Sequence, residues 1–316
     1  MYDMSEEFTI NEAENGQRLD VWCVSKLPQL SRTALQKAIK AGYIRINSEV
    51  VKPRQAIRTN DAITVQLPTT TAEAAPQETM EIPIIFEDPD VVVINKPPGV
   101  IAHTGVGTSN NTVSDWFVTT YPESAQVGES STERAGIVHR LDKDTSGVMI
   151  LAKNQQAYDH LKERFQKRRV KKEYLALVFN SPTDAQGRIV QAMNRSKRNP
   201  MRRTIDPEGK QAITEWTKEQ VFDDLRDRRV YALLRVRPLT GRMHQIRVHL
   251  HHLGFPIVGD ALYTFKRQSP PQGVARQLLH AQKLSLELPT GEHKTFTAPL
   301  PDDFANVLEP MQKHEL

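Results

Sequence analysis

The segment His139-Arg140-Leu141-Asp142-Lys143-Asp144, followed by Thr145-Ser146-Gly147, sets several ionisable side chains in a short gap between two apolar runs. A plain turn needs Gly, Asn, Asp or Pro, not a His-Arg pair ahead of them. Asp142 is either a reactive carboxylate where an apolar strand opens into a polar loop, or a turn residue with a local ion pair. A second feature lies far downstream. In a helix opened by Thr240-Gly241 and closed by Gly254, the residues Met243, Ile246, Leu250 and Leu253 share one apolar face at about 100° per residue. Arg247 falls in the middle of that face. A guanidinium keeps its charge, so one aimed at a core needs an anion, unless it snorkels past its neighbours to solvent. Asp142 is the leading candidate for that anion.

Other chemistries leave no trace. There is no phosphate loop of the form G-x-x-x-x-G-K-[ST], no G-x-G-x-x-G fingerprint, no G-x-S-x-G elbow and no H-E-x-x-H. His244, His249, His251 and His252 spread around a helix instead of sharing a face, so packing, capping or phosphate contact is expected of them and no metal. Asp144 beside Asp142 does not make the spaced carboxylate pair of a glycoside hydrolase. Cys23 is the only cysteine, so a disulfide framework within the chain is excluded, in keeping with a reducing cytoplasm.

The elements that must position these residues fall into four segments. Residues 1–15 are polar and read as an N-terminal tail, loose or a first strand. Residues 16–67 read as a compact α/β unit: a helix with Leu19, Trp22, Cys23 and Leu27, a second one capped by Ser31 and ended by Gly42, then short strands through Ile44, Ile46, Val50, Val51, Ile57, Ile63 and Val65. Residues 68–80, PTTTAEAAPQETM, read as a linker. From 81 to 316 apolar runs alternate with turn signals. Strands are expected at Val91–Asn95, Val148–Ala152, Tyr174–Phe179 and Tyr231–Val236, and a helix at Asn154–Arg169, which predicts an α+β domain with a mixed or antiparallel sheet flanked by helices and loops.

Two resemblances follow. Arg18-Leu19-Asp20, Ser31-Arg32, Gly42, Ile44, Ile46, Asn47, Pro53 and Asp61 resemble the S4-type RNA-binding domain, which implies RNA contacts from Arg32, Lys37 and Lys40 on the second helix. Ser48 and Asn60 stand where that family often has Gly, which predicts looser turns. HRLDKDTSG, KKEYLALV at 171–178, RPLTGRMHQIRVHL at 237–250 and PIVGDALY at 256–263 resemble the RluA/RluD-type pseudouridine synthases, closest to the RluD branch. INKPPGVIAHTG at 94–105 and LLHAQKL at 278–284 match further blocks of that family. The resemblance implies Asp142 as the catalytic aspartate and Tyr174 as the aromatic against the target base. It also implies Arg247 as the partner of the aspartate, and Arg140, beside His139 in the same loop, as the residue entering the RNA stack. It implies no cofactor and no metal.

Charge distribution agrees with a polyanion partner. The net charge is only +4, but residues 16–67 hold nine Lys/Arg against three Asp/Glu and residues 161–172 hold seven against one, +6 each. The second patch nominates Lys167, Arg168 and Arg169 for RNA contact, and five of the nine residues 195–203 are also basic. The expected partner is RNA, above all large-subunit ribosomal RNA, free or in pre-ribosomal particles. The opening MYDMSEEFTI lacks an apolar core and no stretch approaches the roughly 20 apolar residues of a membrane span, so a cytoplasmic chain is expected, by default a monomer. The alternative function is an RNA-binding ribosome-assembly factor whose catalytic role is secondary.

Overall fold

The computed structural model describes residues 2–27, 30, 32–68, 80–103, 111–128, 134–224, 229–266 and 268–314. They form two compact units, Met1–Thr79 and Met80–Leu316.

The first unit runs β1 (Tyr2–Thr9), α1 (Leu19–Lys26), α2 (Arg32–Lys40), β2 (Ile44–Ile46) and β3 (Ala62–Pro68). Its three-stranded sheet has the order β1-β3-β2. Of the two readings of residues 1–15, a loose tail or a first strand, the strand is the one found: residues 2–9 pair antiparallel with β3. The physical cause is apolar: Phe8 stacks edge-on against Trp22 at 5.4 Å and Ile10 is buried. Val50, Val51 and Ile57 form no strand. The turns expected to be loose are tight, because Asn47, Ser48 and Asn60 all take left-handed backbone. Asn47 locks its turn by donating to Asp61 Oδ1 and accepting from Ala62 N, both at 2.8 Å. Leu19, Trp22, Cys23, Leu35, Ile39, Ile63 and Val65 make the core. Lys40 is exposed at the end of α2. Ser31 and the side chains of Arg32 and Lys37 lie outside the described residues, as does nearly all of the expected linker.

The second unit continues with β4 (Ile84–Glu87), β5 (Val91–Lys96), α3 (Val113–Thr120), β6 (Ser146–Ala152), α4 (Gln155–Gln166), β7 (Lys171–Phe179), β8 (Gln186–Arg195), β9 (Arg203–Ile205), β10 (Lys210–Asp224), β11 (Arg229–Pro238), α5 (Gln245–His252), β12 (Leu279–Glu287), β13 (His293–Thr297), α6 (Asp302–Leu308) and β14 (Gln312–His314). An 11-stranded sheet follows the path β4-β5-β6-β12-β7-β11-β10-β8-β9, with β13 on β12 and β14 on β10. The fold is α+β. The sheet is mixed through one parallel join, His280 with Ser146 and Ala281 with Gly147.

Period-two alternation explains the placement. In β5 and β6 both faces are buried: Val91, Val93, Val148 and Ile150 pack toward α4, while Val92, Ile94, Met149 and Leu151 pack toward α3. In β7, Ala176 and Val178 face Ile246 and Leu250 of α5, with Tyr174 packed beside them. Leu177 and Phe179 face Phe304 and Val307 of α6. Lys172, two residues before Tyr174, belongs to the α5 face.

Three expectations are corrected here. The apolar lead-in to Asp142 is not a strand; Ile137 makes only an isolated bridge to Leu151. The helix at 154 is capped by Asn154 but stops at Gln166, because Arg168 turns left-handed. The helix opened by Thr240-Gly241 starts only at Gln245, since Thr240 Oγ1 is engaged by the Gln245 side chain and His244 is left-handed. Met243 accordingly lies outside the helix and is 45% exposed.

Candidate active site

Arg247 is fixed in the first turn of α5, and its side chain is 6% exposed. Its apolar neighbours bury it, and it meets two carboxylates. Nε and Nη2 donate to Asp260 Oδ2 and Oδ1 at 2.7 and 2.9 Å, and Nη1 donates to Asp142 Oδ2 at 3.1 Å. The side chain of Asp260 is fully buried and that of Asp142 is 22% exposed. Asp260 Oδ1 also accepts the backbone N–H groups of Leu262 and Tyr263 at 2.9 Å, so its acceptor sites are well filled. Asp142 has an open side. Sequence reasoning found the anion for Arg247 but missed the stronger one. PIVGDALY carried the signal, because only glycine fits at 259: φ is +79° and a Cβ would lie 2.0 Å from the Arg276 carbonyl oxygen.

The loop bearing Asp142 is held from several sides. Gly147, at φ +117°, passes so close to β12 that a Cβ would sit 2.2 Å from the Ala281 carbonyl oxygen. Lys96, buried at the end of β5, donates to the carbonyls of Pro97, Val100 and Lys143 at 2.8, 2.8 and 3.0 Å. Burial pulls the Lys96 ammonium down to about 7, and the nearby Asp144 opposes that pull. Arg276, bidentate to Asp303 at 2.6 and 2.8 Å, gives Nη1 to the Asp144 carbonyl at 3.0 Å. His139 turns inward: Nε2 accepts the Ile150 N–H at 3.1 Å and the ring stacks on Phe165 at 4.5 Å. Burial pushes it down to about 3, so the ring is neutral and anchors the loop to β6. Arg140 is exposed and its Nη1 reaches His103 Nε2 at 3.0 Å.

Asp142, Tyr174, Arg247, His139 and Arg140 all line one cleft of about 550 Å³. Burial, and secondarily Asp142, pushes the Tyr174 phenol upward, so it is protonated at neutral pH. Arg168 lines the same cleft, whereas Lys167 pairs with Glu163 along α4 and Arg169 is exposed. His244, left-handed at φ 57° and expected from the sequence to pack, cap or contact phosphate, is a further member of the cleft lining. Tyr263 OH accepts the Arg203 N–H at 2.6 Å and lies 2.9 Å from His244 Nδ1. On its other side His244 Nε2 lies 3.9 Å from Asp142 Oδ2. Burial lowers His244, with Asp142 opposing. His249 is buried on Thr214 Oγ1 at 2.9 Å and His251 stacks on Phe265, which are packing roles. Among the described residues no group of three or more His, Cys, Asp or Glu is placed to hold a metal ion.

A buried Arg thus clamps an accessible aspartate, with an aromatic beside it in the same cleft. The RNA pseudouridylate synthase family pattern matches residues 90–252, and the S4 domain pattern matches residues 17–63. Ribosomal large subunit pseudouridine synthase D of Vibrio parahaemolyticus is 36% identical, covering 96% of this chain and 94% of that protein. An uncharacterized RNA pseudouridine synthase of Chloroflexus aurantiacus is 37% identical over 95% of this chain and 91% of its own length. The solved structure of human RNA pseudouridylate synthase domain containing 1 superposes with a TM-score of 0.60 at 27% identity, covering 76% of this chain and 92% of that one. The chain belongs to the RNA pseudouridylate synthase family and is an RNA pseudouridine synthase.

Proposed function

We propose that this enzyme isomerises uridines of large-subunit ribosomal RNA, with Asp142 as the catalytic carboxylate. The observation that carries the reading is the Arg247–Asp142 contact at 3.1 Å, made across 105 positions of sequence and opening on the cleft that holds Tyr174. A stacked base cannot reach such a carboxylate, so the nucleotide must leave the stack, at a cost of a few kcal/mol. Arg140 at the rim fills the gap, and His139 holds the loop that carries it. A cleft of about 550 Å³ suits one nucleotide. Asp142 attacks the sugar or takes a proton from it, the N1–C1′ bond breaks, and the base rejoins through C5. Tyr174 offers the uracil a flat face, with its hydroxyl at the edge where the C5 proton must leave. Arg247, held by Asp260, keeps the Asp142 carboxylate oriented.

Arg32, Lys37 and Lys40 on α2, with Lys167, Arg168 and Arg169 after α4, supply backbone affinity without sequence information. The relatives named for the ribosomal large subunit support that substrate, inside or outside pre-ribosomal particles. A reducing cytoplasm suits Cys23, which is free and buried, and the enzyme acts as a monomer on this reading. The test uses ribosomal RNA from cells lacking the enzyme, with pseudouridine mapped by carbodiimide labelling and primer stops. Wild type should add stops and Asp142→Asn should lose at least a thousandfold in rate, roughly 4 kcal/mol of barrier. An equally active Asn variant would remove Asp142 from the chemistry.

A further inference from the structure

Lys172 differs from the paired arginines of the second unit. Arg235, Arg237, Arg247 and Arg276 are each paired with a carboxylate. Lys172 is half-buried and lines the cleft, yet neither its side chain nor that of Arg168 has a hydrogen bond or an ion pair among the described residues. Burial lowers its pKa and the neighbouring Arg168 charge lowers it further, with no acid acting in the opposite direction. Two like charges thus line one cleft, near enough for Arg168 to act on Lys172.

The backbone puts them there at a cost. Arg168 closes α4 in left-handed geometry, φ 56°, where the helix-ending bonds run from Arg168 N to Phe165 O and from Arg169 N to Arg164 O. That position is ordinarily a glycine, and an arginine there strains the backbone without improving the cap. Strand alternation gives Lys172 the same face as Tyr174. Its ammonium lies 3.8 Å from where a Cβ on Gly241 would be, so the nitrogen stands against the 238–244 loop at a position that carries no side chain.

We propose that Lys172 and Arg168 form a phosphate subsite, which takes one phosphodiester of the substrate RNA beside the uridine entering the cleft. It rests on the reading of that cleft as the site of uridine isomerisation. A phosphodiester supplies the missing anion, relieves the repulsion between the two cations, and fixes how far the strand is drawn toward Asp142. Lys172 is then a binding residue whose charge is left uncompensated until RNA arrives.

The test is filter binding of ribosomal RNA from cells lacking the enzyme, from 50 to 300 mM KCl, with thermal melts of the same full-length proteins. Lys172→Met should weaken binding about tenfold and flatten the log Kd against log salt slope by about 0.7, the loss of one contact on single-stranded RNA. Its melting temperature should equal or exceed wild type, since an unpaired buried charge has gone. Lys172→Arg should restore the slope. Gly241→Asp places a carboxylate on the Lys172 ammonium, so it should bind at least threefold more weakly than Gly241→Asn, its uncharged match in size. A wild-type slope in Lys172→Met, a lowered melting temperature with the slope unchanged, or equal binding by the Asp and Asn variants would each overturn the subsite. Pseudouridine formation by wild type in the same RNA is scored separately: its absence would sink the enzyme reading, while the slope still decides the subsite.

Discussion

Arg247 serves two carboxylates that want different things from it. Asp260, fully buried, takes the Nε edge and needs the charge to remain folded; Asp142, partly open, takes one nitrogen and needs it for orientation. Removing either end of the clamp therefore has unequal effects. Arg247→Met should cost about 3–5 kcal/mol in urea unfolding, because it strands the Asp260 charge. Asp142→Asn should leave the urea midpoint close to wild type while abolishing turnover. Adding Asp260→Asn to Arg247→Met should recover part of the lost stability, since the stranded charge goes too. An Arg247→Met protein as stable as wild type would mean that backbone donors alone satisfy Asp260. His244 belongs to the same scale. Its left-handed backbone sets the ring between the Tyr263 hydroxyl and the Asp142 carboxylate.

The elements position these residues through their ends rather than their middles. Lys96 ends β5, and through the Lys143 carbonyl it ties that strand to the Asp142 loop. Lys96→Met should therefore lower kcat tenfold or more, about 1.4 kcal/mol of barrier, with a smaller change in KM, in single-turnover assays on the same RNA. An unaltered kcat would show that the loop holds its place without this tie. End positions are also where sequence reading was least accurate. Strand interiors such as Val91–Lys96 were legible because both faces are apolar, and Arg247 was legible because a charge interrupted an apolar stripe. Asp260 was not, since periodicity says nothing about a carboxylate that turns inward from a loop. The start of α5 was misplaced because Thr240-Gly241 looks like a cap, whereas the chain spends residues 241–244 on a turn that aims His244. The sequence placed His139 in the loop with Arg140 but not its acceptor role toward the Ile150 amide, which depends on a strand it precedes.

At the scale of the whole molecule, the two units should respond differently to acid. His249 and His280 are buried and neutral, each pushed down to about 4, and the half-buried His139 is pushed down to about 3. In the unfolded chain each takes up a proton near pH 6.5, so the unfolded state binds more protons below that value. The stability they lend is complete above pH 6.5 and is lost as pH falls toward 4, by up to about 1.4 kcal/mol per pH unit for each. All ten histidines follow residue 80, so the first unit has none. Between pH 7 and 5 the urea midpoint of the second unit should fall while that of the first holds. Trp22 reports the first unit; Trp116 and Trp216 report the second. Variants retaining one reporter or the other separate the two curves, and a Trp22 curve that falls with the rest would refute the assignment.

The parallel join between β6 and β12 is only two residue pairs long, the shortest pairing in the large sheet among the described residues. Asp142 hangs from one side of that seam; Tyr174, Arg247 and Asp260 hang from the other. The distance between Asp142 and those residues is thus measured across the narrowest stitch in the fabric. On the reading of Asp142 as the catalytic carboxylate, slippage there by a fraction of an ångström should lower turnover before any strand comes apart. Turnover is then a more sensitive gauge of this seam than melting, and Gly147, which lets the two strands touch, is the thread that keeps it closed.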